Sequence, residues 1–177
     1  MSENKTGLPL AKGELRGLRI LGIDPGFGRT GIGVVDMKSG NSVHVFHDVI
    51  ETPKEDDFGV RLIAMRDELR EVITKYAPQT AAVEQLFFSN NAKTAMKVGM
   101  ARGVVLLTLQ EMRVPFVELT PNQVKQGIAG WGGADKKQVQ EMVARLLKLK
   151  EIPKPDDAAD ALAIAMVGGL VARFPGK

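Results

Sequence analysis

In the first part of the chain, apolar residues come in short dense runs separated by turn-forming residues, the pattern of strands. "RILGID" predicts a strand over 19–24, closed by "PGFG". "TGIGVVD" predicts a second strand over 30–36 and "NSVHVFHDVIE" a third over 41–51, with "KSGN" as the hairpin turn between them. Strands joined this closely imply an antiparallel meander. The period then changes. Phe58, Leu62, Met65, Leu69, Val72 and Tyr76 recur at spacings of three and four, the stripe of an amphipathic helix that stops before Pro78.

Further on, short apolar runs alternate with helical patterns. "TAAVEQ" over 80–85 reads as a buried strand and "PFVELT" over 115–120 as another. Between them, 91–112 reads as a long helix, in which Ala95, Gly99, Ala101 and Gly103 would let another element approach closely. "PNQVKQGIA" predicts a short helix with Pro121 in its first turn, "WGGA" a Gly-rich loop, and 135–149 a helix capped by Asp135. "DDAADALAIAMVGGL" predicts the last helix. The order implies an α/β fold with a mixed five-stranded sheet, three antiparallel strands and then parallel ones, flanked by helices. Residues 1–17, polar with scattered Gly and a Pro, read as a flexible N-terminal extension; residues 18–177 suit one domain with one core.

Composition removes several chemistries. The chain has 177 residues and no cysteine, so disulfides, thiolate zinc sites and cysteine nucleophiles are excluded, and a cytoplasmic setting is expected. No apolar run reaches the length of about 18 residues that a membrane span requires, and the N-terminus lacks the apolar core of a signal peptide. The net charge of +3 is unevenly spread: residues 89–150 hold ten Lys+Arg against four Asp+Glu. A basic middle between acid-bearing ends suits a polyanion partner, although a solvated lysine-rich surface is the simpler account of charge alone.

Four acids change the picture: Asp24, Glu84, Asp157 and Asp160. Taken singly, Asp24 before Pro-Gly could start a turn, Glu84 could be a strand end facing water, and Asp157 could favour a helix dipole, with Asp156 as the N-cap. Asp160 fits no such account. It lies a full turn into an apolar helix among alanines, where a carboxylate requires a partner. Asp157 and Asp160, three apart, share a helix face, about 60° from one another. If that helix crosses the sheet near the two strand ends, all four converge. Carboxylates so crowded cannot all stay ionised alone, and oxygen ligands select Mg2+ or Mn2+ over zinc. Two such ions about 4 Å apart form the clamp for in-line attack on a phosphodiester.

These residues stand within an ordered series: "GIDPG", "VEQLFF", "NNAKTAMKVGMARGV", "QVKQ", "ADK.QVQ.MV..LL" and "DAADALAIA". The series resembles the RuvC-type Holliday junction resolvases, bacterial nucleases of the RNase H-like fold, from about Leu18 to about Val167. The resemblance implies a crossover junction endodeoxyribonuclease that acts in recombination and repair. It would resolve four-way junction DNA by paired symmetric nicks, leaving 5′-phosphate and 3′-hydroxyl ends. It implies Asp24, Glu84, Asp157 and Asp160 as catalytic metal ligands for two Mg2+ ions per active site, with Mn2+ as a substitute. It implies a homodimer, in keeping with a two-fold substrate cut twice, and a branch-migration helicase partner. Phe87 is expected to be exposed to stack on a junction base, and Lys125 and Lys136 to lie near the scissile phosphate. Lys93, Lys97, Arg102 and Lys137 are weaker candidates for backbone contacts.

Other features remain open. His44 and His47, three apart on a strand, are expected on opposite faces and receive no role. Trp131 either seals packing or touches DNA. The glycines around Asp24 are expected to let a nucleic-acid backbone come close. An actin-like phosphotransferase would share an Asp- and Gly-bearing hairpin, but requires a second phosphate loop and a duplicated domain that the sequence lacks. A junction-binding module without catalysis would require one of the four acids to be missing, and none is.

Overall fold

A computed structural model describes residues 17–86 and 92–173. The elements follow in the order β1 (Leu18–Asp24), β2 (Arg29–Lys38), β3 (Asn41–Glu51), α1 (Phe58–Tyr76), β4 (Thr80–Glu84), α2 (Ala92–Glu111), β5 (Phe116–Leu119), α3 (Pro121–Ala129), α4 (Lys136–Leu146) and α5 (Asp156–Arg173). The five strands form one sheet in the order β3-β2-β1-β4-β5. β1, β2 and β3 pair antiparallel, while β1, β4 and β5 run parallel. The expected mixed sheet is therefore the one observed. Among the described residues, no helix is long and apolar enough to cross a membrane.

Each face of the sheet carries its own core. On one face lies α5, covered in turn by α3 and α4, with Ile20, Val35, Leu119, Leu162 and Ile164 at the centre. On the other face, α1 and α2 close over Leu21, Ile23, Val34, Leu69 and Leu109. The alternation of Ile20 and Leu21 between the two cores is the period-two signature of a strand buried on both sides.

Strand glycines determine how closely α5 lies. A Cβ on Gly22 would stand 2.1 Å from the Ala161 carbonyl oxygen, on Gly31 2.1 Å from that of Asp157, and on Gly33 2.6 Å from the Leu162 nitrogen. The helix backbone rests directly on the sheet, and its own contact residues Ala158, Ala161 and Ala165 are small and fully buried. This corrects one expectation. The glycines Gly22, Gly31 and Gly33 make room for a helix and not for nucleic acid, because helix–sheet contact already occupies the space that a side chain would fill.

Two further expectations change. The buried line of α1 is Arg61, Met65, Leu69 and Ile73, while Phe58, Leu62, Val72 and Tyr76 are only half-buried. Arg61 takes an interior position because its polar atoms are satisfied there: it donates to Thr52 Oγ1 at 3.0 Å and to the Phe27 carbonyl at 3.3 Å, with its guanidinium 4.0 Å over the Phe27 ring. On β3, the register against β2 slips between Val34 and Val35, skipping one residue. This bulge turns His44 and His47 to the same face, where their ring nitrogens meet at 2.8 Å.

Candidate active site

The strand order places the carboxylates. β1 and β4 are parallel neighbours with Ile23 beside Val83, so Asp24 and Glu84 leave adjacent strands at the same end of the sheet. In an α/β sheet these carboxyl ends open on a crevice. Across β1, Asp24 is paired with Gly31, the residue on which the Asp157 carbonyl rests. The first turn of α5 therefore sits over Asp24 and carries Asp157 and Asp160 with it. An open cleft of about 250 Å3 lies beside this point, lined by Glu84, Asp160 and Ala163 together with Pro121, Val124 and Lys125 of α3 and Lys136 and Val139 of α4.

The electrostatics record the crowding. Burial, then the charges of Glu84, Asp160 and Asp157, push the Asp24 carboxyl up to about 7 against the pull of Lys136. Burial and the Asp160 charge push Glu84 up to about 7 as well, opposed by Lys125 and Lys136. Asp160 is raised too, burial outweighing its bond to Lys136. Lys136 is the local counter-charge: its Nζ donates to Asp160 Oδ2 at 2.9 Å and to Asp156. Burial opposes its charge, but the two carboxylates outweigh burial and hold its pKa above the ordinary lysine value. Arg29, at the start of β2, pairs with Asp157 at 3.3 Å and Glu51 at 3.0 Å.

The four expected acids are thus within mutual electrostatic reach, yet they do not form a cage as they stand. Among the described residues, no three His, Asp or Glu groups are disposed to hold a metal ion. Two of the acids are engaged by cationic side chains instead, Asp160 by Lys136 and Asp157 by Arg29. The donor set still fits a hard divalent cation. It is all oxygen, and two of its members are driven towards protonation by burial and then by neighbouring negative charge, which such an ion relieves.

The other expected residues divide. Lys125 and Lys136 line the cleft. Lys97 stands 5.1 Å over the Phe27 ring, and the exposed Lys137 lies 3.9 Å from Glu141. Arg102 pairs with Glu118 of β5 and is largely covered. Phe87 and the side chain of Lys93 lie outside the described residues. Asp156, expected as a cap, is the first residue of α5 and receives Lys136. Arg29 was not foreseen. Its signal was the hairpin register, which sets it opposite Glu51 at the sheet end where the acids lie.

Comparison with known proteins agrees with this architecture. The family model for crossover junction endodeoxyribonuclease RuvC matches residues 20–168. The protein of that name from Thermotoga petrophila is 49% identical over 156 residues, 88% of this chain and 94% of its own. That from Thermosipho melanesiensis is 50% identical over 158 residues, 89% of this chain and 100% of its own. The T. thermophilus RuvC solved in complex with a Holliday junction substrate superposes with a TM-score of 0.84 at 38% identity, covering 88% of this chain and 95% of that one.

Proposed function

The chain belongs to the crossover junction endodeoxyribonuclease RuvC family, and from that premise we propose that it resolves four-way DNA junctions by paired symmetric nicks. The reading takes residues 18–177 as one nuclease domain of the RNase H-like class, acting in recombination and repair in the bacterial cytoplasm. The observation that carries it is the pair of strand-end acids, Asp24 and Glu84, both pushed up to about 7 beside the first turn of α5.

Asp24, Glu84, Asp157 and Asp160 would hold Mg2+, two ions per site, with Mn2+ as a substitute. Bound there, such ions supply the Lewis acidity that activates water and stabilises the departing 3′ oxygen. The protein's own groups do the rest. The sheet holds Asp24 and Glu84 at fixed strand ends, and α5 holds the other two acids over them. Lys136 pairs with Asp160, and with a cation held by the acids its ammonium would be available to the phosphate. Lys125, from α3, adds a second positive charge to the cleft.

A two-fold substrate cut on two opposed strands calls for two sites related by a dyad. What supports a homodimer is one face of α2. Met96, Met100 and Leu107 are 63%, 47% and 56% exposed, and Gly103 lies on the same stripe. A branch-migration helicase remains a partner by family resemblance.

The test compares a four-way junction with linear duplex of the same sequence in Mg2+. Selective, paired cutting of the junction is expected. Asp24→Asn should abolish cutting, a loss of roughly 10²–10³-fold or more, while a gel shift still detects junction binding. Cutting by the variant at the wild-type rate would overturn the assignment.

A further inference from the structure

Trp131 is the chain's single tryptophan, and the fold leaves it 55% exposed. A large aromatic ring left in water contributes little to folding. Yet the loop around it is built with care. Gly130 ends α3 in the left-handed region, with φ 82°, and its N–H donates to the Gln126 carbonyl at 2.9 Å. A Cβ on Gly132 would stand 2.1 Å from Asn122 Oδ1, and one on Gly133 2.3 Å from Cζ3 of the Trp131 ring itself. Gly130 is favoured by backbone conformation, while a side chain at Gly132 or Gly133 would displace Asn122 or the Trp131 ring from its present place. Asn122 of α3 braces the loop from one side, and the Gly133 backbone supports the ring.

Both flanks of the loop are anchored. α3 starts with a capping box between Thr120 and Gln123, and α4 with one between Asp135 and Gln138. Ala134, between Trp131 and the second cap, is buried. The same two helices build the cleft wall: α3 through Pro121, Val124 and Lys125, α4 through Lys136, which bonds Asp160. Trp131 is thus held at a fixed place relative to the acids, on the helix pair that carries the cleft's lysines. Lys137, its side chain 81% exposed, adds a further positive charge on α4.

We propose that Trp131 is a stacking platform for an unpaired nucleobase of the junction, on the α3–α4 rim of the active-site cleft. The chemistry is that of single-strand recognition, an exposed aromatic ring on the helix pair that carries Lys125 and Lys136, where the ring holds a base and the lysines hold the backbone. A protein partner is the lesser fit, because the helices on either side of the loop bring Lys125 and Lys136 to the same cleft and Lys137 to the exposed surface of α4. The proposal rests on the junction-cutting reading and adds to it a residue that positions the strand without touching the reacting phosphate.

Because Trp131 is the only tryptophan, its emission reports on this site alone. The Asp24→Asn protein, expected to bind without cutting, is titrated with a four-way junction. Emission is expected to fall and to saturate together with the gel shift. Trp131→Ala should weaken junction binding roughly 5- to 150-fold, the range for loss of one base–aromatic stack, and Trp131→Phe should restore most of it. The dependence of binding on salt should keep its slope, since no phosphate contact is removed. If wild-type protein fails to cut the junction, the functional reading fails. If it cuts, but emission is unchanged and Trp131→Ala binds as wild type, the platform is overturned. A lowered melting temperature in Trp131→Ala with unchanged affinity, or quenching only by added protein, overturns it equally.

Discussion

The two faces of the sheet use small residues to opposite ends. On the α5 face, glycines of β1 and β2 meet alanines of α5 so closely that an added Cβ would overlap the helix backbone. On the other face, α2 also carries small residues, but Gly103 has nothing within 4 Å and Gly99 only the tip of Leu86 at 3.8 Å. Here the sheet is covered by larger side chains together with buried Ala101, and Gly103 of α2 looks outwards beside exposed Met96, Met100 and Leu107. Glycine spacing alone does not distinguish the two cases. What separates them is whether the chain has already filled the space. On the α5 face it has, and the result is a helix lowered until Asp157 and Asp160 reach the strand-end acids. On the α2 face the chain leaves the stripe open.

The sharpest way to break the first half of this contrast is Gly31→Val. Its side chain has no place to go, because the Asp157 carbonyl oxygen stands 2.1 Å from the position of its Cβ. α5 must lift, carrying two of the four acids away from Asp24. The expected cost is roughly 3 kcal/mol or more, at the upper end for overpacking. Junction cutting should be lost with it. Thermal denaturation and cleavage read both effects, and a variant that melts and cuts like wild type would show that the close approach is not what places the acids.

The sequence made a good deal of this legible. β3 over 41–51 and α3 over 121–129 were expected with the bounds they have, since turn residues and Pro121 mark them sharply. Asp135 was expected as a cap and makes a full capping box. The acids could be singled out because a carboxylate on the alanine-rich α5 violates the apolar pattern. What escaped was tertiary. A bulge shifts β3 by one residue and so reverses the faces of His44 and His47, which no spacing rule anticipates. Arg61 is buried on α1 because Thr52 and the Phe27 carbonyl, from distant segments, satisfy it. Lys136 was expected near a phosphate, but without substrate its nearest anions are the protein's own Asp156 and Asp160.

The crowding of acids beneath α5 should appear as a pH effect of intermediate size. Asp24 and Glu84 both have folded values of about 7, above their ordinary carboxylate values. A raised carboxyl holds its proton more tightly folded than unfolded. It therefore costs no stability below about pH 4, where both states are protonated. The cost grows as pH rises through the window up to about 7, and stays level above it. Metal-free protein should melt several degrees lower at pH 8 than at pH 5. Asp24→Asn should remove much of this difference, which separates it from the titration of other groups. Added Mg2+ should raise the melting temperature more at pH 8 than at pH 5, since the ion binds ionised carboxylates. Melting that is flat with pH in both proteins would contradict the crowding.

The smallest effect tests the open face. Gly103 lies inside α2 with no neighbour for a Cβ to meet. In a helix interior, glycine is about 1 kcal/mol less favourable than alanine. Gly103→Ala should therefore raise the melting temperature of dilute, unpaired chains by about 2–4 °C. If a second copy packs on the α2 stripe with its backbone against Gly103, the added methyl obstructs it. The gain should then shrink or reverse at concentrations where the chains pair, and sedimentation should show weaker association. If association is unchanged and the gain persists at every concentration, Gly103 lies outside the contact. Gly103 would then differ from the glycines beneath α5 in serving no close approach at all.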